Sequence, residues 1–159
     1  MSADTTTQTE LAAAAEPGSR SAEIKVVLVV REGLAPNLTV NAAAVLGASV
    51  GTARDLPRGA DAVDASGTTY AGIVTTPVPV LVTGTDELTL LFRTASAQQD
   101  TTVLALTEVA RQARTYEAYL ADLARAENTD TDIVALIVAG RRNQITKLTK
   151  RFPLLGADR

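Results

Sequence analysis

Three polar segments close apolar runs in this chain: Arg31-Glu32 after 24–30, Glu108 to Arg111 after 102–107, and Gly140 to Asn143 after 133–138. In open α/β sheets, ligands collect beyond the carboxyl ends of the strands. If these runs are such strands, Arg31, Arg111 and Arg141 bring guanidiniums to one edge and Glu108 brings a carboxylate. Asn41, early in an Ala-Val-Leu segment, adds an amide from the facing helix. Guanidiniums hold carboxylates and phosphates by charge-assisted hydrogen bonds, so the set suits a small anionic or zwitterionic ligand. Without a ligand, Arg31 and Glu108 read as solvated strand ends or a surface ion pair contributing under ~1 kcal/mol. Asn41 then merely assists Asn37 and Thr39 in capping the helix; if it is buried, its amide must find a partner.

Composition narrows the chemistry further. The sequence holds no His and no Cys. That removes the usual base near neutral pH, the commonest metal ligand and any disulfide framework, so no Ser-His-Asp triad and no metal site is expected. No Walker or Rossmann glycine pattern calls for a cofactor. Fifteen Lys and Arg against eighteen Asp and Glu give a net charge of −3, the reverse of a dedicated nucleic-acid binder. Arg141, Arg142, Lys147, Lys150 and Arg151 cluster locally and could meet RNA phosphates, but no aromatic residues interleave them for base stacking. A solvated helix face is the plainer reading.

These groups need elements to position them. Residues 1–23 are rich in Thr, Ala and Glu and end in Pro17-Gly18-Ser19, which reads as a disordered leader; the domain is expected over 24–156. No apolar run is long enough to span a bilayer, and a cytoplasmic place is expected. The β-branched run 24–30 is a core strand buried on both faces, hence part of a largely parallel, helix-covered sheet. A helix capped by Thr39 or Asn37 follows and runs to about Val50, with Gly51 beyond its end. Asp64, Ser66 and Gly67 turn a β-hairpin, and Pro77 and Pro79 argue that the strand 78–82 lies at an edge or starts there. A helix starts at Thr85, a strand runs over 102–107, and Tyr116, Tyr119, Leu120 and Leu123 form the apolar face of a helix over 115–126. That face packs in the core or in a homodimer. After strand 133–138, Gly140 makes a turn and Asn143 caps a last helix with Ile145, Leu148 and Phe152 buried. The fold expected is one three-layer α/β domain: a mixed, mostly parallel sheet of four to five strands flanked by helices, with a β-hairpin insertion.

The opening Lys25 to Arg31, with Leu34, Ala42, Ala43 and Ala48, resembles type II peptidyl-tRNA hydrolases, whose pattern begins K-x-V-L-V-V-R-x-D-L. The end is similar too, through Gly140, Ile145, Lys147, Leu148, Thr149, Leu154 and Leu155. The chain resembles more closely the domain-of-unknown-function two-thousand family, in its R-x-x-L…N-A-x-A-V-L passage, Asp64 and Gly67 of the hairpin, and the Tyr116–Tyr119 pair. The resemblance implies the hydrolase-like fold. It does not carry the hydrolase residues across: two lysines, a Gln and a His are replaced by Leu38, Val40, Ala44 and Gly47. The catalytic D-A-G-R-T segment corresponds at best to Glu108-Val109-Ala110-Arg111-Gln112. Two functions follow: a binding domain for an anionic or zwitterionic ligand or a partner, or an enzyme rebuilt around Glu108 and Asn41 for an aminoacyl or peptidyl ester.

Overall fold

The computed structural model describes residues 24–127 and 131–157; the leader expected at 1–23 lies outside them. The run Ile24–Arg31 forms β1, with Val26 to Val30 buried in succession. Pro36, whose missing N–H costs nothing at a helix start, opens α1 over Pro36–Arg54. An excursion follows, holding the short strands β2 (Ala62–Val63) and β3 (Thr69–Tyr70). The remaining elements are β4 (Val80–Thr83), α2 (Thr85–Ser96), β5 (Thr102–Thr107), α3 (Glu108–Gln112), α4 (Tyr116–Leu123), β6 (Ile133–Arg141) and α5 (Arg142–Thr149).

The main sheet has the order β4-β1-β6-β5. β1 and β4 run parallel, whereas β6 runs antiparallel to both β1 and β5. The sheet is therefore mixed but not mostly parallel. Burial on both faces requires a helical layer on each side, and side chains in such layers do not register the direction of the neighbouring strand. Alternation divides the strands between two cores. Val26, Leu28, Val30, Leu104 and Leu106 pack toward α1, against Ala42, Leu46 and Val50. Val27, Val29, Leu136 and Val138 pack toward α2 and α5, against Leu88, Leu91 and Ile145. This is the expected three-layer arrangement.

β2 and β3 form the hairpin insertion. Asp64 accepts from the N–H groups of Ser66 and Thr68, at 2.8 and 3.0 Å, while Gly67 takes φ +86°. That is the turn chemistry expected of an Asx residue followed by glycine. β4 is an edge strand, and it starts directly after Pro79, so neither Pro77 nor Pro79 lies within it.

Several boundaries differ from the sequence reading. α1 passes through Gly51 and stops at Asp55, which takes the left-handed conformation at φ 47°. Gly140 makes no turn; it lies inside β6, where an added Cβ would sit 3.2 Å from the carbonyl of Asp100. α4 buries none of its residues, and Tyr116 is 70% exposed, so Tyr116 is not a core residue.

Candidate functional site

The sheet's polarity decides which predicted residues meet. β1, β4 and β5 point their carboxyl ends to one edge, where Arg31 and Glu108 emerge. β6 points the other way, and Arg141 stands opposite Ile24 at the far edge. There it pairs with Asp100 at 3.3 Å. Arg141 does not join Arg31 and Glu108, because the convergence expected of three strand ends holds only for parallel strands.

At the shared edge, Glu108 opens α3, capped by the hydroxyl of Thr107, which accepts from the N–H of Ala110. One turn on, Arg111 forks onto the Glu108 carboxylate, and Gln112 donates to it at 3.2 Å. These donors, chiefly Arg111 and with the charge of Arg31 adding, hold the Glu108 carboxyl down at about 2. Arg31 turns to Asp132, the residue before β6, and forms an ion pair with its carboxylate. The carbonyl of Asp132 in turn accepts from the Glu108 N–H at 2.7 Å.

Asn41 and Arg111 line a common cleft of about 700 Å³ between α1, the outer edge of β5 and the segment 110–119. Asn41 is exposed, and its amide makes no hydrogen bond among the described residues. Arg114, which the sequence reading passed over, lines the same cleft and likewise has no ion pair or hydrogen bond among them. Arg111 is neutralised by Glu108, so Arg114 supplies the uncompensated positive charge. Tyr116 and Tyr119 form one wall, edge to face with ring centroids 5.5 Å apart. Val45, Leu46 and the β5 side chains give the cleft an apolar floor. Chemically, such a lining complements an anionic group at Arg114 and Asn41 and an apolar body against the tyrosines.

A second cleft, of about 390 Å³, lies on the other face of the sheet and includes Thr85, Phe92, Arg93, Thr107, Tyr119 and Asp132. No group of three His, Cys, Asp or Glu side chains gathers as metal ligands among the described residues. No helix among them is long and apolar enough to cross a membrane.

A mixed four-stranded sheet between helical layers, with a polar and aromatic cleft at one strand edge, defines a three-layer α/β domain with a candidate ligand site. Residues 24–156 match the family described as protein of unknown function (DUF2000), and the chain belongs to that family. A solved structure, a protein of unknown function from Agrobacterium tumefaciens strain C58, has the same fold at a TM-score of 0.74. It is 19% identical, over 84% of this chain and 98% of that one. No curated protein matches the chain.

Proposed function

We propose that this domain binds a small anionic or zwitterionic ligand in the cleft between α1 and β5, with Asn41 and Arg114 holding the anion. Arg111 borders the site, and Glu108 acts on it by orienting Arg111. The observation that carries this reading is the pair of uncommitted polar groups, Asn41 and Arg114, facing one concave space with an aromatic wall. Strand-end cations already matched to carboxylates, such as Arg31 with Asp132, have less to offer a ligand. Binding is favoured over ester turnover because Glu108 stays ionised and hydrogen-bonded near neutral pH. A carboxylate held by Arg111 is a weak proton acceptor.

We also place the domain with the type II peptidyl-tRNA hydrolase fold as a diverged member. The two stretches that carry the resemblance supply the adjacent central strands β1 and β6 and the helices α1 and α5 that follow them. A resemblance confined to short motifs has no reason to fall on one contiguous half of the core.

The reading is tested by thermal shift against nucleotides, amino acids and aminoacyl esters. A binder at about a hundredfold over its Kd stabilises the fold by about 2.7 kcal/mol. The expected result is a rise in Tm with an anionic or zwitterionic compound, lost in Arg114→Ala, without consumption of the compound. No shift with any compound would overturn it.

A further inference from the structure

The hydrogen-bond parity of the sheet identifies what the open side of β5 offers. The N–H of Leu28 goes to Pro79 at 3.0 Å and that of Glu32 to Thr83 at 2.8 Å, so even-numbered residues of β1 address β4. Odd-numbered residues then address β6, where Lys25, Val27 and Val29 face Gly140, Val138 and Leu136. Successive residues of a strand direct their backbone groups to opposite sides. Ala139, Ile137 and Ala135 of β6 therefore face Thr102, Leu104 and Leu106 of β5. That leaves the N–H and C=O groups of Val103 and Ala105 pointing away from the sheet, and no loop backbone among the described residues meets them.

We infer that this edge receives an extended peptide as a fifth strand, its free C-terminal carboxylate held by Asn41 and Arg114. The inference rests on the anion site proposed above and names the ligand class that fills it. The two clefts lie on opposite faces of the sheet and border one another at the β5 edge, where Ala105 and Tyr119 line both. An added strand projects its side chains alternately to the two faces, so each cleft takes every second residue. Asn41 stands at the carboxyl edge and Ser49 two turns further along α1, so a peptide with its carboxylate at Asn41 runs parallel to β5. α4, beside this edge, buries none of its residues. Arg114 gives the carboxylate its charge complement.

The test is selection of a random octapeptide library displayed with free C-termini against the whole chain, followed by titration of a synthetic copy of the enriched peptide. Binding is expected to weaken roughly tenfold or more when the peptide's carboxylate is amidated or its alternate backbone nitrogens are methylated. Ala105→Pro removes an outward N–H that an edge strand can spare, and it should abolish binding. In the unaltered protein, the Val103 and Ala105 amides should exchange quickly and become protected when the peptide is added, a readout independent of whether Ala105→Pro folds. Peptides that bind without protecting those amides would overturn the inference. A small anion that binds while the library yields nothing would overturn it and leave the anion site standing; failure of both would overturn both.

Discussion

Arg31, at the end of β1, is ion-paired with Asp132, the residue before β6, across the edge where these antiparallel strands meet. Asp132 also accepts the Glu108 N–H through its carbonyl, so one residue fastens the ends of β1, β5 and β6 together. The Arg31 side chain is 24% exposed and that of Asp132 44%, which places the pair between a surface bridge and a buried one. A double-mutant cycle of Arg31→Ala and Asp132→Asn, read by urea unfolding, should give a coupling of about 1 kcal/mol. A coupling of zero would mean that the backbone bond alone fastens this edge.

Glu108 makes stability depend on pH in a defined direction. Its carboxyl lies at about 2 in the fold, below the ordinary 4.5. A group held down in the folded state stabilises fully above its unfolded value and loses that contribution as pH falls through the folded one. The contribution, about 1 kcal/mol for a partly hydrated Arg–Glu pair, should thus disappear between about pH 4.5 and pH 2. Urea midpoints of the natural chain and Glu108→Gln should differ at pH 6 and converge toward pH 2. A difference unchanged over that range would contradict the pairing with Arg111.

Gly72 closes the base of the hairpin arm. A Cβ built there would lie 1.8 Å from the carbonyl oxygen of Gly59, a backbone atom with no room to yield. Around it, Gly59 donates to Ile73 at 2.8 Å and Arg58 to the Gly72 carbonyl at 2.6 Å. Gly72→Ala should therefore open the arm and cost about 1–3 kcal/mol, the usual range for overpacking. Trypsin cleavage after Arg58 should accelerate while the amides of β1 and β6 stay protected. Unchanged cleavage would show that the arm tolerates a side chain at its base.

The central strands were legible because uninterrupted runs such as Val26 to Val30 have few other places to go. Strand direction was not: Val27 and Val29 bury equally well beside a parallel or an antiparallel neighbour, and this displaced Arg141 to the far edge. Gly51 looked like a helix end, yet a Cβ there would meet nothing within 4 Å, and it is Asp55 that leaves the helix. Tyr116 and Leu120 follow helical spacing, but α4 flanks an edge strand with no layer above it, so spacing did not become burial. Asn41 and Arg111 were legible as strand-end chemistry. Arg114 follows no motif, and only the cleft singles it out.

Asn41 and Arg114 should be removable without harm to the fold. Neither side chain makes a hydrogen bond among the described residues, and both residues are exposed. Surface changes of this kind usually stay within about 0.5 kcal/mol. Asn41→Ala and Arg114→Ala should each leave the urea midpoint unchanged while weakening the ligand found by thermal shift, Arg114→Ala by about 1.5–3 kcal/mol as befits a bond to a charged group. A matching loss of stability and affinity would make both residues structural.

The last expectation concerns catalysis. Cleaving a peptidyl-tRNA ester requires a base or an oriented water, and donors that stabilise the developing oxyanion. If the proposed hydrolase kinship holds, the positions of that family's two lysines, Gln and His fall on Leu38, Val40, Ala44 and Gly47, none of which bears an ionisable group. Among the acids, Glu108 is bound to Arg111 and Gln112, and Asp132 to Arg31. Freeing Glu108 by Arg111→Ala would raise its pKa toward the ordinary value but would remove the guanidinium beside it, and Arg31, the other cation acting on Glu108, is already paired with Asp132. Purified protein should therefore show no peptidyl-tRNA cleavage above background between pH 6 and 8, and Arg111→Ala should not create any. Robust turnover by the natural chain, lost in Glu108→Gln, would return Glu108 to a catalytic role and displace the binding reading.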